Sequence, residues 1–245
     1  MFTKRISIQR SPLLHTLISP EQGGFLSGQQ INENIIIIQE AVHSSSQAKE
    51  KGLVIKLDMA NAFNKVRHSF LHKVLAKFGF HSHFIQWIQA CMGGPWIAPR
   101  WSIGDLQSLW GDPEDYAKAA LFPPLYMFMA EALGRALEFA RISEILLGIR
   151  IVRGVKAVNT TQFVDDTLFI GGASVQIATR FKSILDHYLD ASIKMVNKAK
   201  CQVYGWNVPA QIIALIVRSL EFTANNQIFK YIRVPIAKSP LSLTS

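Results

Sequence analysis

The chain predicts an α+β fold, an antiparallel sheet backed by helices and close in order to a split βαβ unit. Three observations carry that expectation. Leu53-Val54-Ile55-Lys56-Leu57-Asp58-Met59 is a strand-like run that passes straight into a helical pattern. Phe163-Val164-Asp165-Asp166 sits between two further β-branched and aromatic runs, so a hairpin is expected with both carboxylates at or beside its turn. A helical period after Ser174 and another strand at 202–206 complete the series strand, helix, hairpin, helix, strand.

Composition sets outer bounds on function. With 245 residues, 49% of them apolar, the chain is long enough for one sizeable core or two subdomains. Lys and Arg outnumber Asp and Glu by 26 to 17, giving +9 and a pI near 9.7. That balance suits a polyanionic partner, nucleic acid or an acidic membrane surface, although a basic protein with no such partner also fits. Cys91 and Cys201 are too far apart for a zinc spacing and too few for a disulfide framework, so a reducing, intracellular setting is expected. Lys4, Arg5 and Arg10 precede no continuous apolar stretch, and no run reaches spanning length, so neither a signal peptide nor a membrane segment is expected.

Taken in order, residues 1–25 mix basic and apolar side chains around Pro12 and Pro20 without a clear period. Ser27-Gly28-Gln29-Gln30 has the form of a capping box, and Ile31, Ile35, Ile38 and Val42 follow at helical spacing, predicting a helix over about 30–44. The polar stretch 44–52 reads as a connection. In the strand at 53–59, Leu53, Ile55, Leu57 and Met59 share one face while Val54, Lys56 and Asp58 share the other. From Asn61 to about Gly79, Phe63, Val66, Phe70, Val74 and Phe78 recur as a helical stripe. A short helix over 83–92 follows, with Phe84, Trp87, Ile88 and Cys91 on one stripe, and Gly93-Gly94-Pro95 ends it.

Three of the five tryptophans, Trp96, Trp101 and Trp110, crowd into the atypical segment 96–122. Within it Asp112-Pro113-Glu114 reads as an N-cap followed by proline at a first helical position. A helix over 124–135 and a short alternating strand at 148–154 lead to the hairpin. Ser174 then caps a helix whose buried stripe is Ile177, Phe181, Ile184, Leu185 and Tyr188. The strand at 202–206 and a helix over 209–220 close the series, and 237–245 is a polar tail.

The chemistry is in the acids. Adjacent carboxylates on a rigid turn repel one another and either stay wet or hold a divalent cation. Asp165 and Asp166 taken alone fit solvated turn residues, but Asp58 at the end of a strand supplies a third carboxylate, and the three together make a plausible oxygen cage for two Mg²⁺ ions.

Leu57-Asp58-Met59-Ala60-Asn61-Ala62-Phe63 and Phe163-Val164-Asp165-Asp166 together resemble the first and third catalytic motifs of reverse transcriptases of the non-LTR, LINE-type retrotransposon group. The run 19–25, the lysine-bearing turn 194–201 and the hairpin 229–235 resemble further parts of that family. The resemblance covers roughly 1–95 and 123–236. Between them the family's Pro-Leu-Ser-Pro loop is replaced, as a local frameshift or mispredicted exon would leave it. It implies a polymerase palm and fingers at 1–236: a fingers-side segment at 1–52, a palm at 53–205 and a primer-grip-like end at 206–236. The family's thumb is missing from this expectation, because only the tail follows.

The activity so implied is RNA-directed DNA synthesis by two-metal nucleotidyl transfer, with Mg²⁺ or Mn²⁺, dNTP substrates, and an RNA template and DNA primer as partners. Asp58, Asp165 and Asp166 would hold the metals. Lys200 would protonate or hold the leaving pyrophosphate, unless it is a solvated surface charge. Phe63 would lie under the sugar of the incoming nucleotide as a steric gate, unless it only anchors the helix start. Three departures stand out: Gln29 where family members often carry Arg, Asn64 for the usual Asp, and Arg233 for the usual Gly. A nuclear or cytoplasmic location is implied by the family alone. Rival expectations are a degenerate, catalytically silent retrotransposon fragment and a non-enzymatic RNA-binding module on a ferredoxin-like sheet, with a group II intron-type maturase sharing the same palm.

Overall fold

The strand expected to lead into the first acid is the centre of the architecture. The computed structural model describes residues 16–23, 31–60, 67–93, 113–150, 157–163, 166–224, 229–232 and 234–236. Its elements in chain order are α1 (Ile31–Gln47), β1 (Gly52–Leu57), β2 (Met59–Ala60), α2 (His68–Lys77), α3 (Ser82–Gly93), α4 (Pro113–Ile142), β3 (Thr160–Phe163), β4 (Asp166–Gly172), α5 (Val175–Ser192), β5 (Met195–Val196), β6 (Gln202–Trp206), α6 (Ala210–Leu220), β7 (Thr223–Ala224), β8 (Phe229–Tyr231) and β9 (Val234–Ile236).

β1 pairs antiparallel with β4 on one side and with β6 on the other. The main sheet runs β3-β4-β1-β6-β7, and its first four strands have the order of a split βαβ unit. β7 departs from the expected antiparallel pattern by joining β6 in parallel, which the intervening α6 permits as a crossover. Two small ribbons, β2-β5 and β8-β9, complete the pairing.

One face of the sheet is covered as the pattern requires. Leu53, Ile55 and Leu57 of β1 and Phe169 of β4 pack under Tyr126, Leu133 and Leu137 of α4 and Phe181, Leu185 and Tyr188 of α5, with Ile216 and Leu220 of α6 alongside. α5 begins where expected, because the Ser174 hydroxyl accepts the Ile177 amide at 3.1 Å and satisfies one of the otherwise orphaned N–H groups. α4 is a 30-residue helix that starts at Pro113, as the Asp-Pro-Glu pattern predicts, and runs without a break through the separately expected helix at 124–135. It is buried on two sides: Leu125, Phe128 and Met129 meet Leu71, Leu75 and Ile88 of α2 and α3.

The opposite face is not open. Ile38, Ala41 and Val42 of α1, with Tyr231 and Ile236 of the β8-β9 ribbon, cover Val54, Leu168, Ile170, Tyr204 and Trp206. The sheet expected to be backed by helices is instead covered on both faces. Val54, Leu168, Ile170 and Tyr204 are as apolar as the residues on the other side, so both faces need a cover.

Smaller differences have local causes. α1 continues to Gln47 through Ser44-Ser45-Ser46, where the buried Ser45 hydroxyl donates back to the Ala41 carbonyl at 2.6 Å instead of competing from outside. Trp87 is 53% exposed while Ile88 is wholly buried, because α3 meets α2 and α4 along a narrow seam. The expected strand at 148–154 is, in its described part, a single bridge between Ile149 and Val158. The turn of β8-β9 places Ile232 at φ +49°, a conformation that a β-branched residue adopts at a cost. The capping box at Ser27, the tryptophan-rich window, Asn64 and Arg233 lie outside the described residues.

Candidate active site

Strand register decides which acids meet. On the β4 side Leu57 lies opposite Thr167, so Asp58 and Asp166 are the next residues outward on two neighbouring strands. Paired residues such as Leu57 and Thr167, the last of this ladder, have Cα atoms about 4.5–5.5 Å apart. Asp166 is also the last paired residue of the β3-β4 hairpin, opposite Phe163. Asp166 is thus at the start of β4, while Val164 and Asp165 lie outside the described residues. Phe63 is likewise outside them.

On the β6 side Lys56 lies opposite Gln202, and Lys200 is two residues further out along that strand's approach. Lys200 is exposed in the turn before β6, with its N–H donated to the Asn197 carbonyl at 2.9 Å. Lys200, Asp58 and Asp166 thus occupy one end of three adjacent strands, β6, β1 and β4. Asp58 and Lys200 are 142 positions apart in sequence; the antiparallel ladders bring them to one edge.

Two residues that the sequence reading did not single out belong to this edge. Lys56 follows Val54 and precedes Asp58 on one face of the pleat; its Nζ lies 3.8 Å from Asp166 Oδ1 and donates to the Lys230 carbonyl at 3.3 Å. The signal was present as a lone cation inside an apolar strand, two residues before an acid. Cys201 is the second. It is wholly buried, its Sγ accepts the Asp58 N–H at 3.4 Å, and burial pushes its thiol above the ordinary range. Nothing in the sequence pattern marks Cys201 as a neighbour of Asp58, because the contact depends on register.

The β8-β9 ribbon adjoins the same edge through Lys230 and Tyr231. Burial pushes the Tyr231 phenol well above its usual range; the Thr161 hydroxyl offsets part of that rise, and the Asp166 carboxylate adds to it.

Among the described residues no three His, Cys, Asp or Glu side chains converge on a metal position. The donor set that is described, two carboxylates side by side with an ammonium drawn against one of them, is nevertheless hard, oxygen-based and already holding a positive charge. It fits Mg²⁺ or Mn²⁺ better than a metal that prefers nitrogen or sulfur.

Residues 3–112 match the family described as reverse transcriptase (RNA-dependent DNA polymerase), a span that includes Asp58 and Phe63. Over 86 residues the chain is 26% identical to the protein titled "Transposon TX1 uncharacterized 149 kDa protein" from Xenopus laevis, which covers 35% of this chain and 7% of that protein. The chain is thus similar, over these stretches, to a reverse transcriptase family and to a transposon protein. Asp58 and Asp166 lie at neighbouring ends of β1 and β4. Among its described residues no helix is long and apolar enough to cross a membrane.

Proposed function

We propose that the chain supplies the palm and adjoining fingers segment of an RNA-directed DNA polymerase that acts by two-metal nucleotidyl transfer. The observation that carries this reading is the register that sets Asp58 beside Asp166 at one end of the central sheet. Asp58, Asp165 and Asp166 would hold two Mg²⁺ or Mn²⁺ ions. When bound, such ions activate a primer 3′-hydroxyl and neutralise charge on the leaving pyrophosphate. Lys200, exposed at the same edge, would offer its ammonium to the pyrophosphate as acid or counter-charge. Phe63, five residues past Asp58, would limit the sugar to a deoxyribose.

The excess of basic residues would follow the phosphates of an RNA template paired to a DNA primer, giving binding that is indifferent to sequence and sensitive to salt. Domain limits on this reading are 1–52 for the fingers segment, 53–205 for the palm and 206–236 for the primer-grip-like end.

A second reading, a catalytically silent relative, draws on Lys56, whose ammonium already neutralises Asp166. Primer extension separates the two. Folded protein given a primed RNA template, dNTPs and Mg²⁺ should lengthen the primer, and Asp58→Asn should abolish extension while leaving duplex binding near its original strength. No extension by folded protein, with duplex binding retained, would favour the silent relative or a simple RNA-binding module.

A further inference from the structure

The register breaks at the proposed catalytic acid. If the β1-β6 ladder continued past Lys56 and Gln202, Asp58 would face Lys200 and Met59 would face Ala199. Met59 instead faces Val196, so three residues of the partner strand are looped out beside Asp58. The loop is a tight turn in which the Lys200 and Cys201 N–H groups both donate to the Asn197 carbonyl at 2.9 Å.

Asp58 therefore belongs to neither ladder on this side, and its backbone polar groups need other partners. Its carbonyl accepts the Asn197 N–H at 2.8 Å. Its N–H donates to the Cys201 sulfur at 3.4 Å. The thiol stands where the looped-out residues have removed a backbone acceptor. Asn197 accepts the Lys200 N–H through its carbonyl and donates its own N–H to Asp58, so one residue links Lys200 to Asp58 by two hydrogen bonds.

We propose that the turn from Asn197 to Cys201 sets the position of Asp58, and that Cys201 is a positioning residue for the cation-holding acid. The inference rests on the reading of Asp58 as a cation ligand. Cys201 touches neither substrate nor cation; it acts through the Asp58 main chain. Its wholly buried side chain leaves no room for water to replace the sulfur as acceptor without rearrangement.

The test is Mn²⁺ titration of the whole chain, followed by electron paramagnetic resonance of the free ion, for wild type, Asp58→Asn, Cys201→Val and Cys201→Ser. Near-ultraviolet circular dichroism and thermal melting establish that each variant is folded. Cys201→Val fills the space without an acceptor and should weaken Mn²⁺ binding by at least about tenfold, the usual scale for removing a support behind a metal ligand. Cys201→Ser keeps an acceptor and should restore affinity to near wild type. If Cys201→Val does not fold, Cys201→Ala is judged by the same criterion. Wild-type affinity in the apolar variant, with Asp58→Asn defective, overturns this inference and leaves the proposed function standing. Equal losses in the serine and valine variants also overturn it, since packing would then explain both. Wild-type Mn²⁺ binding by Asp58→Asn overturns the ligand reading itself.

Discussion

Gly52→Ala tests the platform on which Asp58 is mounted. Gly52 opens β1 and lies opposite Trp206 of β6, whose indole folds across it and is wholly buried. A Cβ at this position would meet Trp206 Cζ2 at 1.9 Å and Cε2 at 2.2 Å. Carbon atoms in contact sit about 3.5–4.0 Å apart, so ring or strand must move by roughly 1.5 Å. The ring cannot swing into solvent, because Val54, Tyr204 and the α1 residues Ile38 and Val42 belong to the same cluster. Overpacking of this kind costs about 1–3 kcal/mol, and a clash with a rigid ring belongs at the upper end. For a domain of this size about 3 kcal/mol lowers the melting temperature by roughly 6–12 °C.

Gly205→Ala is the control. Its Cβ would meet Ile213 Cδ1 at 2.3 Å, but that atom is the free end of a half-buried side chain able to rotate away. The cost should stay below about 1 kcal/mol. Thermal and urea melts followed by circular dichroism read both variants, and Trp206→Leu in the Gly52→Ala background should recover part of the loss. A Gly52→Ala melting point within about 2 °C of wild type, or equal losses for the two alanine variants, would refute the packing argument.

Two further outcomes concern charge. Lys56→Met removes the ammonium held 3.8 Å from Asp166, and Mn²⁺ should then bind more tightly, on the order of tenfold for a unit charge a few ångström away in a water-like dielectric. Unchanged affinity by titration would show that the ammonium does not oppose the ion. Glu131, wholly buried on α4, accepts the Ser19 amide and hydroxyl at 3.1 and 3.0 Å and the Arg135 Nε at 3.1 Å, and burial outweighs these partners and raises its pKa. A raised carboxyl contributes stability that is full below its unfolded value and is lost as pH rises through the folded one. Glu131→Gln should therefore gain in urea midpoint relative to wild type as pH rises from the acid range to neutrality, and a gap that shrinks instead would contradict the sign.

Local chemistry made much of the fold readable. The alternation from Leu53 to Leu57, the Ser174 cap and the apolar runs around Phe163 each act within a few residues, and each produced the expected element. What escaped is what depends on partners distant in sequence. Nothing local tells Val54 and Leu168 that α1 and the β8-β9 ribbon will cover them, and Ser44-Ser45-Ser46 reads as a connection until Ser45 is buried against its own helix. The acids Asp58 and Asp166 were legible because strand ends and hairpin turns have composition signals. Cys201 was not, since its place beside Asp58 comes from a three-residue offset between ladders.

β1 has neighbours along both edges, while β3 and β7 form the flanks of the sheet. Amides in such a doubly bonded strand open only when the whole domain unfolds, so deuterium should reach Leu53 to Leu57 last. An acid that directly follows this stretch inherits its stillness. Thermal breathing of the flanks would leave the bearing of Asp58 toward Asp166 nearly unchanged.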